Sequence, residues 1–247
     1  MKLMKISKLA GRLFFLVSYP LYFRRKLEKT NTTRMFDFDL TIPPTVFHPA
    51  FFFSTRIFGD YLRGLSLSGK QVLDMGSGSG LLSLIAAQQG AKILSVDINP
   101  RAVDCTRMNA EKNNLAHAIT AIQSDLFENV VADSQFDYVI WNPPFFPVEP
   151  KDEAANAWKA GKDYRTLSRF AEQAGLFLSP DGRIIVILST QMSVEEIAHF
   201  FTRLGFRVSV VHKHRSFFEK FIIYEFRGAE NRSANESAPR PTHASEQ

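Results

Sequence analysis

VLDMGSGSG, residues 72–80, is an apolar strand that breaks on three evenly spaced glycines and runs straight into LLSLIAAQQ, a helical stretch. Gly76, Gly78 and Gly80 let the chain turn sharply and bring its backbone close to a ligand. The helix behind them aims unpaired N–H groups and a partial positive charge at the same place. A dinucleotide fingerprint needs a further glycine at position 81, which is Leu81, so the nicotinamide form of the motif is missed. Asp74, two residues before Gly76, sets a carboxylate beside the turn. It repels a pyrophosphate and welcomes the ammonium end of an amino acid.

Outward from this unit the pattern is regular. Strands are predicted at 71–75, 91–97, 119–124, 136–142 and 182–189, and helices at 80–89, 100–114, 163–178 and 193–204. Their alternation specifies a doubly wound, mostly parallel sheet. Gly90 ends the first of these helices and SPDG, residues 179–182, makes a turn after the third. FRVSVVHKH and EKFIIYEFRG follow with no helix between them, so they are expected to pair antiparallel as a terminal hairpin, for seven strands in all. Upstream, FDFDLTIPPTVFHP reads as a short strand and a turn, and AFFFSTRIFGDYLRGL as a helix leading into the core.

Three domains follow: a basic segment at 1–34, the α/β domain at 35–228, and a tail at 229–247 without apolar periodicity, expected to be disordered. The 247 residues suit one such domain with extensions. A single cysteine, Cys105, excludes an internal disulfide framework and a Cys-rich metal site, and fits a cytoplasmic setting. The six histidines show no zinc-helix spacing, and no metal is expected. Residues 1–34 carry nine Lys or Arg against Glu28 alone, a charge of +8 in a chain whose total is +5. The rest is therefore mildly acidic at −3, which weakens any inference from total charge to nucleic acid. LFFLVSYPLYF, residues 13–23, is too short to span a bilayer and is broken by Pro20. Packing on the domain is the favoured reading of this segment, with peripheral membrane contact through residues 1–29 and a grip on RNA phosphates behind it.

Two more acidic positions sharpen the ligand. SVDIN ends the second sheet strand on Asp97, about 20 residues past the glycine turn, where an acid accepts ribose hydroxyls. QSDLF places Asp125 at the end of the third. A nucleoside joined to an amino acid without phosphate describes S-adenosyl-L-methionine. The next strand, FDYVIW, stops on Asn142-Pro143-Pro144-Phe145. A residue before proline is held extended, and prolines have no N–H, so this stretch offers acceptors without competing donors. Asn142 adds a side-chain oxygen, and Phe145 can lie against a flat amide or base. Such a cradle suits a planar –NH₂ group, whose lone pair becomes available only as acceptors hold its N–H bonds in the transition state.

VLDMGSGSG, VDIN, SDLF and NPPF, in this order and spacing, resemble the class I S-adenosylmethionine-dependent methyltransferases over roughly residues 40–227. The resemblance implies a Rossmann-like fold with its antiparallel terminal hairpin and a cofactor site. In it Asp74, Gly76, Ser77, Gly78 and Gly80 hold the methionine part, Asp97 and Ile98 the ribose side, and Asp125 and Leu126 the adenine. Asn142, Pro143, Pro144 and Phe145 form the catalytic cradle, with Asn142 also bordering the cofactor.

The stretch from NPPFFPVEP through Gly161-Lys162-Asp163 to Asp181-Gly182 is similar to the HemK-type release-factor glutamine methyltransferases. VFHPAFFFST is similar to the segment before the glycine turn in their shorter branch, and puts Pro49 and Thr55 at the cofactor edge. This implies N5-methylation of a protein glutamine, with a translation release factor as the possible partner. The chain departs from the pattern in having Phe145 where tyrosine is usual, and in lacking both the acidic residues near HPAFFF and the large N-terminal helical domain. The alternative is an RNA base methyltransferase acting on guanine N2 or adenine N6. The basic leader and Phe51-Phe52-Phe53, as a stacking cluster, speak for it, although simple packing is the favoured reading of those rings. A membrane-docked binding protein that retains the cofactor fold is a third reading, opposed by the intact Asn142 cradle. Trp158 and Lys151-Asp152-Glu153 fall in the loop expected to cover the acceptor.

Overall fold

The computed structural model describes residues 29–144, 165–216 and 219–228. Residues 1–28, Phe145, the loop through Trp158, Gly161-Lys162-Asp163 and the C-terminal tail lie outside the described residues.

Among the described residues the chain opens with a hairpin, β1 (Asn31–Met35) and β2 (Phe38–Ile42). The turn residues Phe36 and Asp37 are left-handed, at φ 54° and 70°. Positive φ at both central positions matches the twist of the flanking strands. The sequence reading had one short strand here, and β1 is the addition. Asn-Thr-Thr-Arg-Met carries too little apolar alternation to announce it. The hairpin's free edge is closed by a helix. Asn109 of α3 (Pro100–Lys112) accepts from Thr41 N at 2.8 Å and donates to Thr41 O at 3.1 Å. One turn on, Asn113 does the same for Asp39 at 3.0 and 3.1 Å. Two amides four residues apart on one helix face thus replace a neighbouring strand.

The main sheet contains β3 (Gln71–Met75), β4 (Lys92–Asp97), β5 (Ile119–Gln123), β6 (Phe136–Trp141), β7 (Leu178–Ser189), β8 (Phe206–Arg215) and β9 (Lys220–Gly228). Their order is β5-β4-β3-β6-β7-β9-β8. The first five pair in parallel, whereas β9 runs antiparallel to both neighbours. The expected seven strands and the terminal hairpin are therefore present. SPDG lies inside the span of β7, yet the register shows it looped out. Phe136 pairs with Leu178 and Tyr138 with Arg183, so residues 179–182 face Asp137 alone.

Successive residues of the central strands feed opposite cores, which is why they read as mainly apolar runs. Val72, Ile140, Ile185 and Ile187 pack with α1 (Phe53–Arg63), α2 (Leu81–Gln88) and α3 on one face. Leu73, Val139, Trp141, Val186 and Leu188 pack with α4 (Arg165–Ala174) and α5 (Val194–Arg203) on the other. From β3 the chain winds outward to β4 and β5, then returns to the far side of β3 as β6. This reversal opens a crevice at the C-terminal ends of β3 and β6, where open α/β sheets take their ligands.

Candidate active site

The glycine turn occupies that crevice. Gly76, Gly78 and Gly80 are all left-handed, at φ 69°, 54° and 78°. Gly76 N and Ser77 N both donate to Val96 O, at 2.7 and 3.0 Å, which ties the turn to the end of β4. Gly80 is required sterically as well, since a Cβ there would meet Thr106 Cγ2 at 3.0 Å and its Cα at 3.1 Å. Thr106 in turn bonds Ser77 Oγ at 3.0 Å, and Asn109 donates to Ser79 O at 2.9 Å. Helix α3 therefore fixes the turn from behind.

Asp74 ends β3 at 1% exposure. One carboxylate oxygen accepts from Ser83 Oγ at 2.5 Å, and Ser83 also bonds Ser95 Oγ at 2.7 Å. The other oxygen, Oδ1, is buried without a partner. Burial pushes the carboxyl up to about 7, against the Ser83 hydrogen bond and with repulsion from Asp97. An unsatisfied buried carboxylate oxygen is costly on its own and is the natural complement of a cationic donor. Asp97 lies at the end of β4 with both oxygens engaged by backbone, Oδ2 by Gly78 N and Oδ1 by Asn99 N, each at 2.9 Å. Burial raises it too, against those N–H bonds. Each oxygen keeps lone pairs for a diol. Ile98 beside it is 46% exposed, an apolar surface facing outward.

A strap crosses this turn. Asn99 Nδ2 donates to Thr45 O at 3.2 Å, and Phe47 Cβ sits 3.7 Å from where a Gly78 Cβ would be. Phe52 stacks on Phe47 at 4.5 Å and Phe51 on His48 at 4.0 Å, so packing accounts for two of the three clustered phenylalanines. Phe53 is 65% exposed. Asp125 carries a partner the sequence did not suggest: Arg169 of α4 donates to its Oδ2 at 2.9 Å and to Glu128 at 3.1 Å. Leu126, next to it, is left-handed at φ 53°.

Asn142 follows β6 immediately. Its amide nitrogen lies 3.3 Å from Ser54 Oγ and 3.2 Å from Thr55 Oγ1, both buried in the first turn of α1. With the NH₂ committed to those hydroxyls, Oδ1 is the end of the amide left to accept. Thr55, expected at the cofactor edge, is thus a neighbour of Asn142. Ser54, Ser83, Ser95, Thr106 and Arg169 complete the arrangement and were not singled out from sequence. Each acts across elements 9 to 88 residues apart in the chain, and no local pattern marks such pairs. Among the described residues no group of three or more His, Cys, Asp or Glu is placed to hold a metal. No helix among them is long and apolar enough to cross a membrane.

A sheet with this switch point, a left-handed glycine turn, and a buried and a half-buried acid at its rim can seat a nucleoside bearing an amino-acid end. The match to known families agrees, covering residues 44–219. The chain belongs to the methyltransferase small domain family. This methyltransferase takes S-adenosylmethionine as its cofactor, which the orphaned Asp74 oxygen and the Asp97 lone pairs fit. It is 36% identical over 165 residues to a protein of Methanocaldococcus jannaschii provisionally named protein N5-glutamine methyltransferase, covering 64% of this chain and 82% of that one. It is 32% identical over 151 residues to a tRNA1(Val) (adenine(37)-N6)-methyltransferase of Shewanella loihica, covering 57% of this chain and 62% of the other. It spans less than two thirds of that second relative. In fold it is similar to a 16S rRNA N2 methyltransferase of T. thermophilus solved with AdoMet and guanosine. The TM-score is 0.57 at 23% identity, over 81% of this chain and 50% of that one.

Proposed function

We propose that this methyltransferase acts on a planar amide nitrogen, that of a protein glutamine side chain, in the manner of the HemK-type enzymes. The observation that carries the reading is the orientation of Asn142. Ser54 and Thr55 occupy its NH₂ group, so its carbonyl oxygen is presented as an acceptor. Pro143 and Pro144 add carbonyls and no donors. An acceptor that holds an amide N–H as the nitrogen turns pyramidal stabilises the transition state more than the ground state. The bound cofactor supplies an electrophilic methyl group on a sulfonium. Asp74 balances its ammonium, Asp97 takes its ribose hydroxyls, and Asp125 with Leu126 takes its adenine. Phe145 is assigned to the flat face of the acceptor from its place in the NPPF motif alone. Support comes also from the archaeal relative, which carries the glutamine name and of which 82% is covered. A translation release factor is the proposed protein partner.

The test is Asn142→Ala with labelled cofactor and a fractionated cell extract as acceptor source. Turnover is expected to fall by about 10²-fold or more, far beyond any change in cofactor affinity. Equal turnover in the variant overturns the role. RNA base methylation is the second reading. The tRNA-directed relative and the exposed basic side chains His212, Lys213, His214 and Arg215 along edge strand β8 favour it. Label recovered in RNA and not in protein decides for it.

A further inference from the structure

The acceptor side of the crevice holds a polar cluster that neither the cofactor nor the Asn142 cradle uses. Strand β7 lies beside β6 and continues past it. Trp141 pairs with Val186, and β7 runs on to Ser189 at the same sheet edge. Ser189 is fully buried and donates through Oγ to Glu219 Oε2, from the tip of the β8–β9 hairpin. Ser189 stands two residues after Ile187 and Glu219 two before Phe221, both members of the core that α1 covers. Asn142 is bonded to the first turn of that same helix. The serine, the glutamate and the asparagine therefore share one face and one edge, with Ser189 one strand from Asn142, and Glu219 two strands away and level with Gln191.

The tip is fastened there. Thr190 N donates to Lys220 O at 2.9 Å, Lys220 N to Thr190 Oγ1 at 3.0 Å, Ser216 N to Glu219 O at 2.9 Å, and Gln191 N to Ser189 Oγ at 3.1 Å. Among the described residues Glu219 Oε1 receives no donor, and Gln191 Oε1 is buried without one. A half-buried carboxylate and a buried amide oxygen, both short of donors and at the same sheet edge as the methyl-acceptor cradle, form an incomplete hydrogen-bonding site. Burial holds the Glu219 carboxyl above its ordinary range, with Ser189 opposing.

We propose that Glu219 and Gln191 form a second acceptor pair, on the β7–β9 side of Asn142, that receives an N–H of the substrate next to the nitrogen being methylated. In a protein substrate this donor is a main-chain amide beside the target glutamine. The inference rests on the glutamine reading given above. Asn142 grips the reacting group, and Glu219 with Gln191 grips the chain that bears it, so the pair acts on substrate binding and not on the chemical step.

The test uses the full-length protein, labelled S-adenosylmethionine and cell-extract fractions. Wild type comes first: label in protein supports the glutamine reading, whereas label in RNA alone or in neither fraction overturns that reading and this inference together. The labelled protein, purified, is then titrated as acceptor. Glu219→Gln is expected to raise its KM at least about tenfold, with kcat within about twofold and cofactor affinity unchanged. Gln191→Met removes a buried oxygen that has no donor, so it is expected to raise the same KM while thermal stability holds or rises. That second result separates recognition from scaffolding and stands even if Glu219→Gln folds poorly. An unchanged KM in Gln191→Met, or a KM rise in either variant matched by an equal loss of cofactor binding, overturns the proposal with the glutamine reading intact.

Discussion

Replacing Asp74 by asparagine in the cofactor-free protein tests the electrostatics of the glycine turn directly. Asp74 is buried, has one oxygen on Ser83 and the other on nothing, and titrates at about 7 where an ordinary aspartate titrates at 3.8. Between these values the folded chain retains a proton that the unfolded chain has released. Stability therefore falls as pH rises through that window, and is constant with respect to this group below and above it. A gap of about 3 pH units at about 1.4 kcal/mol each gives a cost of about 4 kcal/mol at pH 8, as an upper figure. Asparagine carries no such cost, although its NH₂ enters the site without an acceptor and lowers stability by a pH-independent amount. The assay is urea denaturation of both proteins from pH 4 to 8, followed as the difference between them. That difference is expected to move in favour of Asp74→Asn by a few kcal/mol between pH 4 and 7 and then level off. A difference flat across the range refutes the picture of a carboxyl held protonated by burial. At pH 8 the same variant is expected to bind S-adenosylmethionine at least about tenfold more weakly, because a neutral amide does not balance the ammonium.

Gly80→Ala and Gly205→Ala form a matched pair. Both positions are left-handed, at φ 78° and 85°, but a Cβ at 80 meets Thr106 at 3.0 Å whereas one at 205 meets nothing within 4 Å. Denaturation is expected to show a loss of about 1 kcal/mol at 205 and about 2–3 kcal/mol at 80, and equal losses refute the role given to Thr106. Asn109→Ala removes both bonds to Thr41 and the bond to Ser79 O at a fully buried position. It is expected to cost about 3 kcal/mol and to speed hydrogen exchange at the Thr41 amide, whereas exchange at wild-type rate there means the hairpin docks by other means.

The central strands were legible because both their faces are buried, so Val72–Met75 and Phe136–Trp141 read as apolar runs broken only by Asp74 and Asp137. The terminal hairpin was legible because no helical stretch separates its strands. Strand β1 was hidden by polar composition and by a turn of Phe36 and Asp37 that carries no glycine. Gly59 helps explain how Phe36 is accommodated there, since a Cβ at 59 would lie 2.8 Å from the Phe36 ring. At the site, spacing alone set Asp74, Asp97 and Asn142 at the C-terminal ends of adjacent strands. What spacing does not carry is the environment of each group. Ser83 and Ser95 beneath Asp74, Arg169 on Asp125, and Ser54 against Asn142 meet only when three layers close together.

The strap of residues 43–52 gives the N-terminal hairpin an importance its size does not suggest. Thr45 is fastened to Asn99, Phe47 lies on the glycine turn, and the strand that leads into them is moored to α3 through Asn109 and Asn113. The roof over the donor pocket is thereby built from chain that precedes every strand of the main sheet. A catalytic fragment must accordingly retain the chain from residue 31 onward: trimming to the first sheet strand would keep the floor and discard the ceiling.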